Sequence, residues 1–95
     1  MSALEFGRQA VAVVTTEFHV FAIRAAQDPQ VMLRVAGVFA QRNLVPRQLS
    51  CRTSGSCLLI DVEVALGTPE MARRLLEKIR SIVLVERVNL VERKV

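Results

Sequence analysis

From Leu58 to Leu66 every second residue is aliphatic: Leu58, Ile60, Val62, Val64 and Leu66 alternate with Leu59, Asp61, Glu63 and Ala65. Strict period-two patterning demands a β-strand, here 56–66, with one dry face and one wetter face. A chain of 95 residues is one domain. A domain of that size buries roughly 60–65% of its unfolded surface, so its core is thin. With four Phe, no Tyr and no Trp, that core must be aliphatic. A second copy is the usual cover for apolar surface that so small a domain leaves over.

Two stretches carry the chemistry of a helix start. Asp28-Pro29 and Thr68-Pro69-Glu70 each place a capping oxygen before a proline at the first helical position. The first helix should run from Pro29 to about Arg42. Val31, Met32, Val35, Ala36 and Phe39 recur on one side of it. Gly37 interrupts that stripe, at about 1 kcal/mol relative to alanine, which predicts a close approach of the helix to the sheet or to another helix. Asn43 is suited to end the helix in a left-handed conformation. The second helix should reach about Ser81, with Met71, Ala72, Leu75, Leu76 and Ile79 inward and Arg73, Arg74, Glu77, Lys78 and Arg80 toward water.

Three further strands complete the pattern. Residues 17–25 alternate Phe21, Ile23 and Ala25 with Val20, Ala22 and Arg24, apolar enough on both sides for a central strand. Residues 46–53 open on Pro46, which suits an edge, and Ser54-Gly55 makes the turn into the alternating strand. Residues 84–92 place Val88 and Leu90 inward, Arg87 and Asn89 outward. The order βαββαβ, with right-handed crossovers, gives an α+β, ferredoxin-like sandwich: a four-stranded antiparallel sheet with both helices on one face. Arg24, Asp61, Glu63 and Arg87 then share the open face, where Arg24 is expected to pair with Asp61 or Glu63. Residues 1–16 read as an N-terminal extension and 17–95 as the domain proper.

Catalytic groups are scarce. His19 is the sole histidine, and a lone histidine in a strand reads as structural; with Glu17 it falls short of a metal site. Cys51 and Cys57 flank the hairpin. A two-residue loop at Ser54-Gly55 would set Cys51 against Leu58 and Cys57 against Arg52, on opposite faces, whereas a five-residue loop would bring the thiols together; free buried thiols are expected. Isolated glycines at Gly7, Gly37, Gly55 and Gly67 make no phosphate loop. The expectation is a protein that is not an enzyme and takes no cofactor. The 13 basic and 9 acidic residues, net +4, are interspersed, which reads as a solvated surface. RNA-binding domains share this element order but need aromatics on the alternating strand, and 56–64 has none, so no nucleic acid is expected. The apolar run Val11–Val14 is too short for a membrane span and lacks a basic leader region. The default setting is cytoplasmic, with reduced thiols.

Residues 21–44 resemble the ACT domain, and most of all the small regulatory subunits of acetolactate synthase (acetohydroxyacid synthase). The pattern rests on Met32, Arg34, Val35, Gly37, Val38, Phe39 and Arg42, and the likeness extends over 18–92 by element order. It implies a homodimer joined side by side through helix one and strand two, a large catalytic subunit as partner, and a branched-chain amino-acid effector. The effector would lie between the loop Gln27, Asp28, Pro29, Gln30 and Val31 and the second copy's strand-two region, near Val45. Loop amides at a helix start attract a carboxylate. Two residues depart from the family: Gln30 stands where it has a glycine, and Val45-Pro46 where it has a ligand-gripping asparagine. Such departures also fit subunits that stabilise their enzyme without sensing anything, a stand-alone ACT dimer, or a structural interaction module.

Overall fold

The aliphatic alternation decides which side of the sheet is covered. A computed structural model describes residues 17–94, so the expected extension 1–16 lies outside the described residues. The elements are β1 (Glu17–Ala26), α1 (Pro29–Ala40), β2 (Gln48–Ser54), β3 (Cys57–Ala65), α2 (Pro69–Arg80) and β4 (Val85–Lys94). They form one antiparallel sheet in the order β2-β3-β1-β4. The ferredoxin-like βαββαβ sandwich is therefore observed, with element ends within two residues of expectation. Strand two starts at Gln48 rather than Pro46, because proline has no N–H to give the ladder.

Leu58, Ile60, Val62 and Val64 of β3 meet Phe21, Ile23 and Ala25 of β1 and Val88 of β4 beneath Val31, Val35, Val38 and Phe39 of α1 and Ala72, Leu75 and Ile79 of α2, all buried. The rings of Phe21 and Phe39 meet edge to face, centroids 5.6 Å apart at 71°. His19 belongs to the same layer at the far end of β1 and is 4% exposed. Its Nδ1 has no partner among the described residues, and its Nε2 lies 3.9 Å from Glu92 Oε2, too far for a hydrogen bond.

Both expected caps are present. Asp28 Oδ1 accepts from the Gln30 amide at 2.8 Å, and Thr68 Oγ1 accepts from the Met71 amide at 3.1 Å. Asn43 takes φ 56 after α1. Its N–H donates to Ala40 O, and the Leu44 N–H reaches back to Phe39 O, the paired bonds of a Schellman ending. The hairpin turn is Gly55-Ser56 rather than Ser54-Gly55. Gly55 carries the positive φ of +59 that the tight turn requires.

Gly37 corrects the sequence reading. A Cβ built there would meet nothing within 4 Å, so neither the sheet nor α2 approaches it closely. Gly37→Ala should therefore stabilise the domain by about 0.5–1 kcal/mol, through helix propensity alone. Chemical denaturation reads this as a higher midpoint at unchanged slope; a lower midpoint would mean that the vacant space is used.

Candidate effector loop and strand edge

Loop 27–31 turns the chain from the central strand β1 into α1, and its polar groups are already engaged. Gln27 Nε2 donates to Gly55 O at 2.7 Å and to Cys57 O at 3.3 Å, which ties the loop to the β2–β3 hairpin. Pro29 has no N–H. The Gln30 amide is taken by Asp28 Oδ1, and the Val31 amide by Asp28 O at 3.0 Å. Asp28 thus occupies the position where a ligand carboxylate would meet the helix start. Gln30 is exposed, and Val31, 1% exposed, belongs to the core.

The structure does not bring Val45 to this loop. The two flank the 12-residue α1, about 18 Å long at 1.5 Å per residue. Val45 is 87% exposed. A second copy is needed to complete such a site. The Gln27–Gly55 bond puts the loop at the C-terminal end of β2, while Val45 precedes its N-terminal end. Two copies of β2 paired antiparallel about a two-fold axis would carry the second copy's Val45 end toward this loop.

β2 is an open edge. All seven of its residues are exposed, and its outer N–H and C=O groups face away from β3. Opposite Val62 and Ile60, Leu49 and Cys51 lie on the helix side, and Leu49 is 52% exposed. Residues Leu33, Gly37 and Gln41 of α1 border the groove toward α2. Helical spacing puts Met32, 41% exposed, and Ala36 on the opposite flank, toward β2. An exposed edge strand beside an apolar helix flank is a template for strand pairing.

The cysteines point to opposite faces, as a two-residue loop requires. Their neighbours differ from those expected, because the turn is one residue later: Cys51 opposes Ile60 and Cys57 opposes Ser54. Both are free; Cys57 is buried but Cys51 is exposed, against the expectation that both would be covered. On the open face, Arg24 does not pair with Asp61 or Glu63. Arg24 Nε meets Glu86 Oε1 at 3.4 Å, and Glu63 Oε2 meets Arg47 Nη1 at 3.4 Å. Arg47 also lies over the Phe18 ring, 4.3 Å from its centre. The Glu86 contact depends on a register shift between Arg24 and Ala25 that leaves Glu86 as an extra residue on β4, a bulge that residue alternation does not announce. Among the described residues no group of three His, Cys, Asp or Glu is placed to hold a metal ion, and no helix is long and apolar enough to cross a membrane.

A family model described as an ACT-like domain matches residues 11–94. Comparison with curated proteins gives no match. Among solved structures, the ACT domain from GTP pyrophosphokinase of Chlorobium tepidum superposes with a TM-score of 0.71 at 12% identity, covering 82% of this chain and 100% of that one. The C-terminal domain of the MgtC protein from Mycobacterium tuberculosis gives 0.70 at 11% identity, covering 87% and 94%. The ligand-free regulatory subunit of aspartate kinase from Thermus thermophilus gives 0.58 at 15% identity, covering 82% of this chain and 50% of that one. At these identities the likeness is one of fold.

Proposed function

The chain belongs to the ACT-like domain family, and on that premise we propose that it is a non-catalytic regulatory subunit that works as a β2-edge homodimer. The observation that carries this is the edge itself: seven exposed residues on β2, bordered by Leu49 and Met32. Pairing two such edges makes one continuous eight-stranded sheet and satisfies the free ladder groups of both. It also juxtaposes loop 27–31 of one copy with the Val45 segment of the other. That junction is the effector site, for an amino acid of the branched-chain kind. The α1 pattern Met32, Arg34, Val35, Gly37, Val38, Phe39 and Arg42 points to the large catalytic subunit of an acetolactate synthase as the partner, in the cytoplasm. Co-purification with such a subunit tests that assignment.

A second reading is favoured by one observation. Asp28 closes the amides at the start of α1, which fits a subunit that stabilises its enzyme and senses nothing. Thermal unfolding with each of the twenty amino acids separates the two. A ligand at 100 times its Kd adds about 2.7 kcal/mol, and each kcal/mol raises Tm by about 4–8 °C in a domain of this size. The sensing reading predicts a saturable rise with at least one branched-chain amino acid, and a larger one in Gln30→Gly. No rise in either protein rules out sensing at this loop and leaves the stabilising subunit.

A further inference from the structure

We propose that the open face of the sheet, away from both helices, is a docking surface for an acidic amphipathic helix of another protein. One line across the four strands reads Arg52, Leu59, Arg24, Arg87: Arg52 opposes Leu59, Leu59 opposes Arg24, and Arg24 opposes Arg87. Like charges directly opposite one another on neighbouring strands destabilise a sheet. Here Arg24 and Arg87 stand so placed. The one carboxylate paired within the row is the bulged Glu86, on Arg24 Nε. Among the described residues Arg52 and Arg87 have no ion-pair or hydrogen-bond partner, and the exposed Asp61 in the next row pairs with neither. The three arginines ring a shallow hollow of about 280 Å³ floored by Ala22 and Leu59.

The spacing specifies the occupant. Arg52 and Arg24 are two strand intervals apart, about 10 Å, with Leu59 between them. Two carboxylates seven residues apart on a helix are also about 10 Å apart, and the side chains three or four residues on lie between them. Such a helix would set one carboxylate between Arg24 and Arg87, the other on Arg52, and an apolar side chain on Leu59 and Ala22. Arginine forks suit carboxylates in this way. A second copy is a poor occupant, because Glu63, Glu70, Glu77, Glu86 and Glu92 each already lie beside a basic side chain. Nucleic acid is disfavoured too, since Phe18, the aromatic that alternation puts on this face, lies under Arg47. This surface is distinct from the β2 edge, so either reading can fail without the other.

The test uses a fluorescent 18-residue helical peptide with Glu at i and i+7 and Leu at i+3 and i+4. A lysine counterpart, inorganic pyrophosphate and a single-stranded RNA are titrated beside it. The proteins are the wild type, Arg52→Gln/Arg87→Gln, and Arg73→Gln on α2 as a control. The expected result is salt-sensitive binding of the acidic peptide that weakens at least roughly tenfold in the double variant, from loss of charge-assisted hydrogen bonds, and is unchanged in Arg73→Gln. The double variant should also melt no lower than wild type at low salt. Equal binding of both peptides, undiminished binding by the double variant, or tighter binding of pyrophosphate or RNA through the same arginines would overturn the proposal. So would a lower melting temperature of the double variant, which would make the row a stabilising feature.

Discussion

Phe39→Ala should leave the domain largely unfolded at ambient temperature. Phe39 is 1% exposed, anchors α1 to the sheet against Phe21, and its carbonyl accepts from the Arg42 and Leu44 amides that end the helix. Truncating a buried phenylalanine costs about 3–5 kcal/mol, and its edge-to-face ring contact adds about 0.5–1.5 kcal/mol to what is lost. A domain this small has a stability near the lower end of the usual 5–15 kcal/mol. Circular dichroism during a urea titration should show a pre-transition baseline that is short or missing. A midpoint within a few tenths molar of wild type would mean that α1 is held by something other than this ring.

The same residue shows how much of the molecule was legible beforehand. Local rules with one physical solution were readable. Asp28-Pro29 and Thr68-Pro69 fixed both helix starts, and the period-two run fixed the covered face of the sheet. Where two solutions satisfied the rule, the reading missed. Ser54-Gly55 and Gly55-Ser56 both offer a tight turn, and the choice decides whether Cys51 faces Leu58 or Ile60. The Gly37 gap and the Glu86 bulge follow from how finished elements sit together, which periodicity does not encode. The candidate site was legible in part. Loop 27–31 was located, but the cap that identifies the helix start is also what closes its amides. The distance from Val45 to the loop is a helix length, which a motif pattern does not measure. The α1 motif itself divides: Val35, Val38 and Phe39 are core, and Arg42 Nη1 donates to Val38 O at 2.9 Å. Any helix packed here would favour such residues, so the motif speaks more strongly for the fold than for one catalytic partner.

Leu49→Glu should convert the dimer to a monomer while leaving the monomer folded. Leu49 is 52% exposed and touches the core little, so within one chain the substitution should cost less than about 0.5 kcal/mol, as surface changes do. Across a two-fold interface it enters twice and sets like charges close together in a strand pair, which disfavours pairing. Sedimentation velocity should show weight-average mass falling to that of one chain at concentrations where wild type is dimeric, with the far-ultraviolet spectrum unchanged. A dimer that survives the substitution would place the interface elsewhere.

The central claim is that two copies join through β2, and Cys51 reports on it most directly. Cys51 is the middle residue of the strand Gln48–Ser54. A two-fold axis through the centre of an antiparallel β2–β2 pair sets Cys51 opposite its own copy, with Cα atoms about 4.5–5.5 Å apart, within the range of about 4.4–6.8 Å that a disulfide spans. Mild oxidation of the wild type should therefore yield a covalent dimer on a non-reducing gel, retained in Cys57→Ser, lost in Cys51→Ser and suppressed in Leu49→Glu. A wild-type protein that is dimeric in solution yet forms no Cys51 cross-link, or forms one equally well in Leu49→Glu, would contradict the β2-edge dimer and the shared effector site built upon it.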